Sequence, residues 1–193
     1  MARKKKYLLT DDALRKEMRR LRRAEQWGRV LRGTVIILVA AFAVAIFMST
    51  QRYMLVEVHG TSMDDTLPSG SVVLCELGVE PQRGELALFS YQDALLIRRV
   101  IGVGGDEVSV GEEGVTVNGG LLDEAYAAGD VERLSDIDYP VRVPPDKLFL
   151  MGDNRNVSVD SRSSAFGTIA SDDVLARPRL VIWPLFRAGK LGG

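Results

Sequence analysis

The chain has 193 residues, 46% of them hydrophobic, with one cysteine, one histidine and a formal net charge of −1. That length suits one ordinary domain plus an appendage, and the composition excludes an intramolecular disulfide, a CxxC motif and a Cys/His zinc set. The near-neutral total hides an asymmetry: residues 1–32 hold 12 Lys/Arg against 4 Asp/Glu, so they carry +8 and the remainder −9.

Residues 9–28 read as a helix, with Thr10 as N-cap and Asp11 and Asp12 in the first turn. Leu14, Met18, Leu21 and Trp27 give only a partial apolar face, which suits a solvated helix near anionic headgroups. A basic block fits either nucleic acid or the cytoplasmic flank of a membrane segment, and the next stretch decides. Residues 33–50 carry no charge, and as a helix they would rise about 27 Å, close to the hydrocarbon core of a bilayer. A buried helix of a soluble domain is one competitor. A cleaved signal peptide is another, but its apolar core would be shorter and end in small residues. Here Ala43-Val44-Ala45 lies in mid-run and the run ends Met48-Ser49-Thr50-Gln51-Arg52. The expectation is an uncleaved transmembrane helix over 33–51. By the positive-inside rule, residues 1–32 lie in the cytoplasm and residues 52–187 form an extracytoplasmic domain in a single-pass protein of the cell membrane. Residues 188–193 read as a tail. The lipid bilayer is an expected partner and nucleic acid is not.

After residue 52 the pattern turns strand-like, with β-branched runs between Gly/Pro/Asp turns. The runs are 53–58, 71–77, 85–91, 94–103, 107–110, 114–117, 141–143, 147–151 and 174–183. Val117-Asn118-Gly119-Gly120 carries the Asn-Gly pair of a tight hairpin. Gly102-Val103-Gly104-Gly105-Asp106 lacks GxGxxG spacing and reads as a turn between strands. Residues 122–140, acidic and unpatterned, read as an exposed insertion loop. The fold class is mainly β. No metal-ligand spacing and no cofactor motif is present.

Three stretches carry candidate chemistry. They are Gly60-Thr61-Ser62-Met63-Asp64-Asp65-Thr66-Leu67, Arg98-Arg99-Val100-Ile101-Gly102-Val103-Gly104-Gly105-Asp106, and Met151-Gly152-Asp153-Asn154-Arg155-Asn156-Val157-Ser158-Val159-Asp160-Ser161-Arg162. A serine nucleophile needs a base. The lone His59 lies three residues before Ser62, where an extended strand would point the two apart, so a Ser-His-Asp triad is not expected.

In this order, after an apolar run, the three stretches and the strand Gly84–Phe89 resemble the bacterial type I signal peptidase family, most of all its Gram-positive members. The resemblance implies a β-rich domain on the outer membrane face and a membrane-anchored serine endopeptidase. Such an enzyme uses a Ser/Lys dyad to cleave signal peptides from exported preproteins with small residues before the cut. It implies Ser62 as nucleophile, its backbone N–H as an oxyanion donor and Ser158 as the residue orienting the base. It also implies Asp160 and Arg162 as a supporting ion pair, and Met63 beside the substrate cleft.

One position departs from the family. Arg98 stands where the family has its general-base lysine, and an arginine holds its proton too tightly to accept another group's. Outside residues 1–16 the lysines are Lys147 and Lys190. The first reads as the exposed start of a strand, and the second lies in the tail. Asp65 and Gly104 replace two family prolines, and Asp65 is a candidate ion-pair partner for Arg98. Two functions stay open: a signal peptidase with altered catalysis, and a non-catalytic relative that binds exported chains. The second would act in assembly or targeting, with pilus or other surface-assembly components as partners.

Overall fold

The computed structural model describes residues 11–50, 52–132 and 134–191. The chain divides into two compact units, Met1–Ser49 and Thr50–Gly193. Helix α1 spans Asp11–Thr50. Where the sequence suggests a helix ending near residue 28 and a separate apolar one, α1 runs through Gly28 and Gly33 without a break. An isolated glycine weakens a helix by only about 1 kcal/mol, and no proline follows to stop it. The proposed N-cap, Thr10, lies outside the described residues.

Ile36, Ile37, Leu38, Val39, Phe42 and Phe47 of α1 are all exposed. Among the described residues no helix is long and apolar enough to cross a membrane, so the span expected over 33–51 is not shown here. Its last residue, Gln51, lies outside the described residues.

Among the described residues the second unit has twelve strands. They are β1 (Tyr53–Glu57), β2 (Val72–Leu77), β3 (Leu86–Tyr91), β4 (Ala94–Val103), β5 (Glu107–Gly111), β6 (Gly114–Val117), β7 (Gly120–Leu121), β8 (Val141–Arg142), β9 (Lys147–Met151), β10 (Ile169–Ala170), β11 (Val174–Trp183) and β12 (Gly189–Lys190). Each run read from the sequence forms a strand, with ends within one residue of those expected. The unexpected strands β7, β10 and β12 are two residues each, too short for a period of two to register. Where a tail is expected after residue 187, β12 pairs with β11.

The larger sheet runs β1-β2-β11-β3-β4-β9-β10, with β12 on β11, and the smaller runs β7-β6-β5-β8. Alternation along the strands sorts the core. Leu86, Leu88 and Ile97 pack on one face with Met63, Leu67 and Val73. Ala87, Phe89, Val100 and Leu150 pack on the other face with Phe166. Phe149 and Met151 join Ile101 to Val108, Val115 and Val117 of the smaller sheet. Asn118 (φ 53°) and Gly119 (φ 78°) make the expected β6–β7 turn, whose successive positive φ values match the twist of a hairpin. Asp106 closes the expected β4–β5 turn by accepting from the Val103 N–H at 2.8 Å.

Residues 122–140 form a loop, as the sequence suggests, with none of its described residues buried, but backbone bonds tie it to the third motif. The Ala128 N–H donates to the Asp153 carbonyl and the Arg155 N–H to the Ala128 carbonyl, both at 2.8 Å, and the Asp136 N–H donates to the Arg162 carbonyl at 3.1 Å. Backbone pairing of this kind leaves no hydrophobic period to read. Phe149 is fully buried in the cluster shared by the two sheets. Phe149→Ala is expected to lower unfolding stability by about 3–5 kcal/mol, measured by chemical denaturation.

Candidate active site

Ser62 sits in the turn after β1. The turn is closed by the Leu67 N–H donating to the Met63 carbonyl at 2.7 Å. It is pinned by the buried side chains of Met63 and Leu67, which leaves Ser62 half-exposed. Its carbonyl accepts from the Asn154 N–H at 3.0 Å, tying the first motif to the third.

Arg98 lies on β4 opposite Ala87 and is only 5% exposed. Its Nη1 donates to Ser62 Oγ at 2.8 Å and to the Ile97 carbonyl at 2.7 Å. Nε and Nη2 donate to the Val159 carbonyl at 3.3 and 3.1 Å. Burial holds the guanidinium below its ordinary pKa; the charge of Asp160 works upward, that of Arg162 downward and that of Asp153 upward. The ordinary value is so high that the group stays a cation.

The suggested Asp65–Arg98 ion pair is not formed: no carboxylate among the described residues lies within ion-pair distance of Arg98. Asp65 is exposed, with φ at 75°, and its carbonyl accepts from Arg187 Nη1 at 3.1 Å. The nearby buried carboxylates are committed elsewhere. Asp160 receives Arg162 Nε and Nη2, both at 2.8 Å, and the Gly152 N–H at 3.0 Å. Asp153 receives Arg99 Nε at 2.8 Å and Nη2 at 2.6 Å, and the Thr66 hydroxyl at 2.5 Å.

Ser158 is buried and its Oγ has no hydrogen-bond partner among the described residues. It faces Gly152, where an added Cβ would lie 2.0 Å from Ser158 Oγ and 2.7 Å from the Ser62 carbonyl oxygen. Only glycine lets the first and third motifs approach this closely. The expected constellation of Ser62, Met63, Arg98, Ser158, Asp160 and Arg162 thus converges in one place; the Ser158 carbonyl accepts from Arg162 Nη2 at 3.2 Å, while its hydroxyl is bonded to none of the others. Lys147 is exposed at the start of β9. His59 is exposed, and Ser62 Oγ is bonded to Arg98 instead.

Residues outside the sequence-derived set complete the support. Tyr126, from the region taken as an open loop, places its ring 3.8 Å from the Arg99 guanidinium carbon. Burial, with help from Glu124, holds its phenol well above the usual range. Glu124 receives both Nη atoms of buried Arg155, at 3.0 and 2.5 Å. Arg99, Asp153 and Arg155 stand within the quoted motifs and could have been singled out as opposite charges flanking the serine. Nothing in the spacing of Glu124 and Tyr126 points to the site.

A cleft of about 670 Å³ opens at Ser62 and Arg98, with Met54, Val56, Met63 and Leu95 in its lining. It is flanked by the outer edge of β1, the last strand of the sheet, and by the start of β4. There β4 pairs with β3 alone, because pairing with β9 begins at Arg99.

Residues 29–183 match the model of a family described as signal peptidase, peptidase S26. The chain belongs to that family. It is 33% identical over 178 residues to a probable signal peptidase I-2 of Synechocystis, covering 86% of this chain and 77% of the relative. It is 32% identical over 139 residues to signal peptidase I S of Bacillus subtilis, covering 66% and 75%. The crystal structure of a signal peptidase I from Enterococcus faecalis aligns with a TM-score of 0.44 at 25% identity, over 51% of this chain and 97% of that one.

Within this peptidase S26 chain the unpartnered hydroxyl is open to test. Removing a buried polar group that lacks a bond carries no bonding loss. Ser158→Ala is expected to leave stability unchanged or raise it within about 1 kcal/mol, read from the denaturation midpoint.

Proposed function

We propose that the chain is a membrane-anchored serine endopeptidase of the signal peptidase I type, acting on exported preproteins with Ser62 as nucleophile. Its hydrolytic step lacks a side-chain general base. The observation that carries this reading is the 2.8 Å donation from Arg98 Nη1 to Ser62 Oγ at the end of the cleft. The open edges of β1 and β4 suit an extended peptide added as a strand, and the apolar lining suits small side chains before the cut.

As Ser62 Oγ attacks the scissile carbonyl, its proton must leave. Arg98 offers a hydrogen where an acceptor is needed, so it stabilises charge on the oxygen without receiving the proton. The proton then passes to water or to the departing amine. Asp160, bonded to the Gly152 N–H and to Arg162, and the Asn154 N–H on the Ser62 carbonyl support the turn. The same hydrogen bond favours a second reading, a non-catalytic relative that binds exported chains without cutting them.

The test uses the full chain in detergent with a preprotein bearing an Ala-x-Ala site. Slow cleavage is expected, lost in Ser62→Ala and raised about 10²–10⁴-fold in Arg98→Lys. Cleavage in Arg98→Lys alone selects the binding-only reading. Equal rates in the native chain and Arg98→Lys would remove Arg98 as the limiting substitution.

Membrane anchoring belongs to the same proposal. The exposed aliphatic and aromatic side chains of α1 call for an apolar surround, and the +8 charge of residues 1–32 orients that end towards the cytoplasm. The full chain should stay in the pellet after alkaline carbonate extraction, and recovery in the supernatant would overturn the anchor.

A further inference from the structure

We infer that the Arg98 end of the cleft is a carboxylate-binding site, and that its ligand is the free α-carboxylate of an extended peptide ending in small apolar residues. The inference rests on reading the cleft as a peptide groove, and it goes beyond that reading by making a cleaved fragment, not an intact preprotein, the tighter ligand.

The argument starts from the charges buried around the site. Arg98, Arg99, Arg155 and Arg162 are all buried. Three have a carboxylate in contact: Arg99 has Asp153, Arg155 has Glu124 and Arg162 has Asp160. Arg98 has none among the described residues, and the acceptors of its four hydrogen bonds are two peptide carbonyls and a hydroxyl, all neutral. A lysine in this position could shed its charge on burial; an arginine cannot. The substitution therefore leaves one positive charge in excess at the end of a mostly apolar cleft.

Geometry places that charge where an anion can reach it. Arg98 and Ser62 both line the cleft. Ser62 Oγ accepts from Arg98, so its own O–H stays available to donate, and a guanidinium carries five N–H donors. An entering carboxylate would meet the Ser62 hydroxyl and the guanidinium charge together. Glu57, an exposed residue, supplies the one carboxylate among the described lining residues, and it forms no ion pair with Arg98. Burial lowers the pKa of the guanidinium, against the upward pull of Asp160 and Asp153, as suits a cation withdrawn from water.

A peptide held along the open edges of β1 and β4 would carry its chain end to Ser62 and Arg98. An intact preprotein has a neutral peptide bond at that point. The fragment released by a cut there has a carboxylate.

The experiment compares two peptides ending in Ala-x-Ala, one with a free C-terminal acid and one amidated. Each carries a fluorophore at its N-terminus, and binding to the full chain in detergent is read by anisotropy. The acid is expected to bind about tenfold or more tightly than the amide, as befits a hydrogen-bonded charge pair. In Arg98→Gln the preference should vanish. Equal binding of acid and amide to the unmodified chain would overturn the carboxylate site while leaving the groove reading intact. Binding of neither peptide would overturn both. The comparison on the unmodified chain stands whether or not the variant folds.

Discussion

Arg98 meets Ser62 through one 2.8 Å hydrogen bond, and the direction of that bond governs the chemistry open to this chain. The proton lies on nitrogen and stays there, because no environment in a protein strips a guanidinium. A lysine on the same strand could be driven neutral by burial and then accept the serine proton. The same burial around an arginine leaves a fixed cation. At Arg98 the strand therefore presents a proton donor to Ser62, not an acceptor.

Among the described residues Ser158 keeps a buried hydroxyl with no partner in bonding reach, while the guanidinium of Arg98 donates to the carbonyls of Val159 and Ile97. Around them three buried arginine–carboxylate pairs hold firm. Breaking any one would leave a charge without compensation in a medium of low polarity, which is far more costly than the pair is stabilising. These pairs hold Ser62, Gly152 and Arg98 in register, and the strap from Glu124 to Asp136 closes over them with backbone bonds to Asp153, Arg155 and Arg162.

Much of the fold was legible as short apolar runs between turn residues. β1, β2, β5 and β6 alternate between faces, while β3, β4 and β9 are buried on both faces and read as near-continuous apolar runs. The two-residue strands β7, β10 and β12 carry no period, and Glu124 and Tyr126 occupy a segment organised by hydrogen bonds to distant backbone, so neither could be read. The motif residues were legible as types at set spacings. Their bonds were not: Asp65 stood near Ser62 in sequence and was a reasonable partner for Arg98, yet its turn adopts a positive φ and leaves it exposed. The uncharged run was legible too, but not that α1 would continue unbroken from Asp11.

By itself the sequence determined the family, the strand pattern, the asymmetry of charge and the presence of Arg98 at the head of the second motif. These follow from residue type and local spacing. Only the tertiary structure decided which way the proton points between Arg98 and Ser62, that Asp160 and Asp153 are already committed to other arginines, and that the Ser158 hydroxyl is left without a partner among the described residues. Those outcomes depend on competition among groups far apart in the chain. Three buried cations reach the three available carboxylates first, and the fourth, Arg98, is left with neutral acceptors.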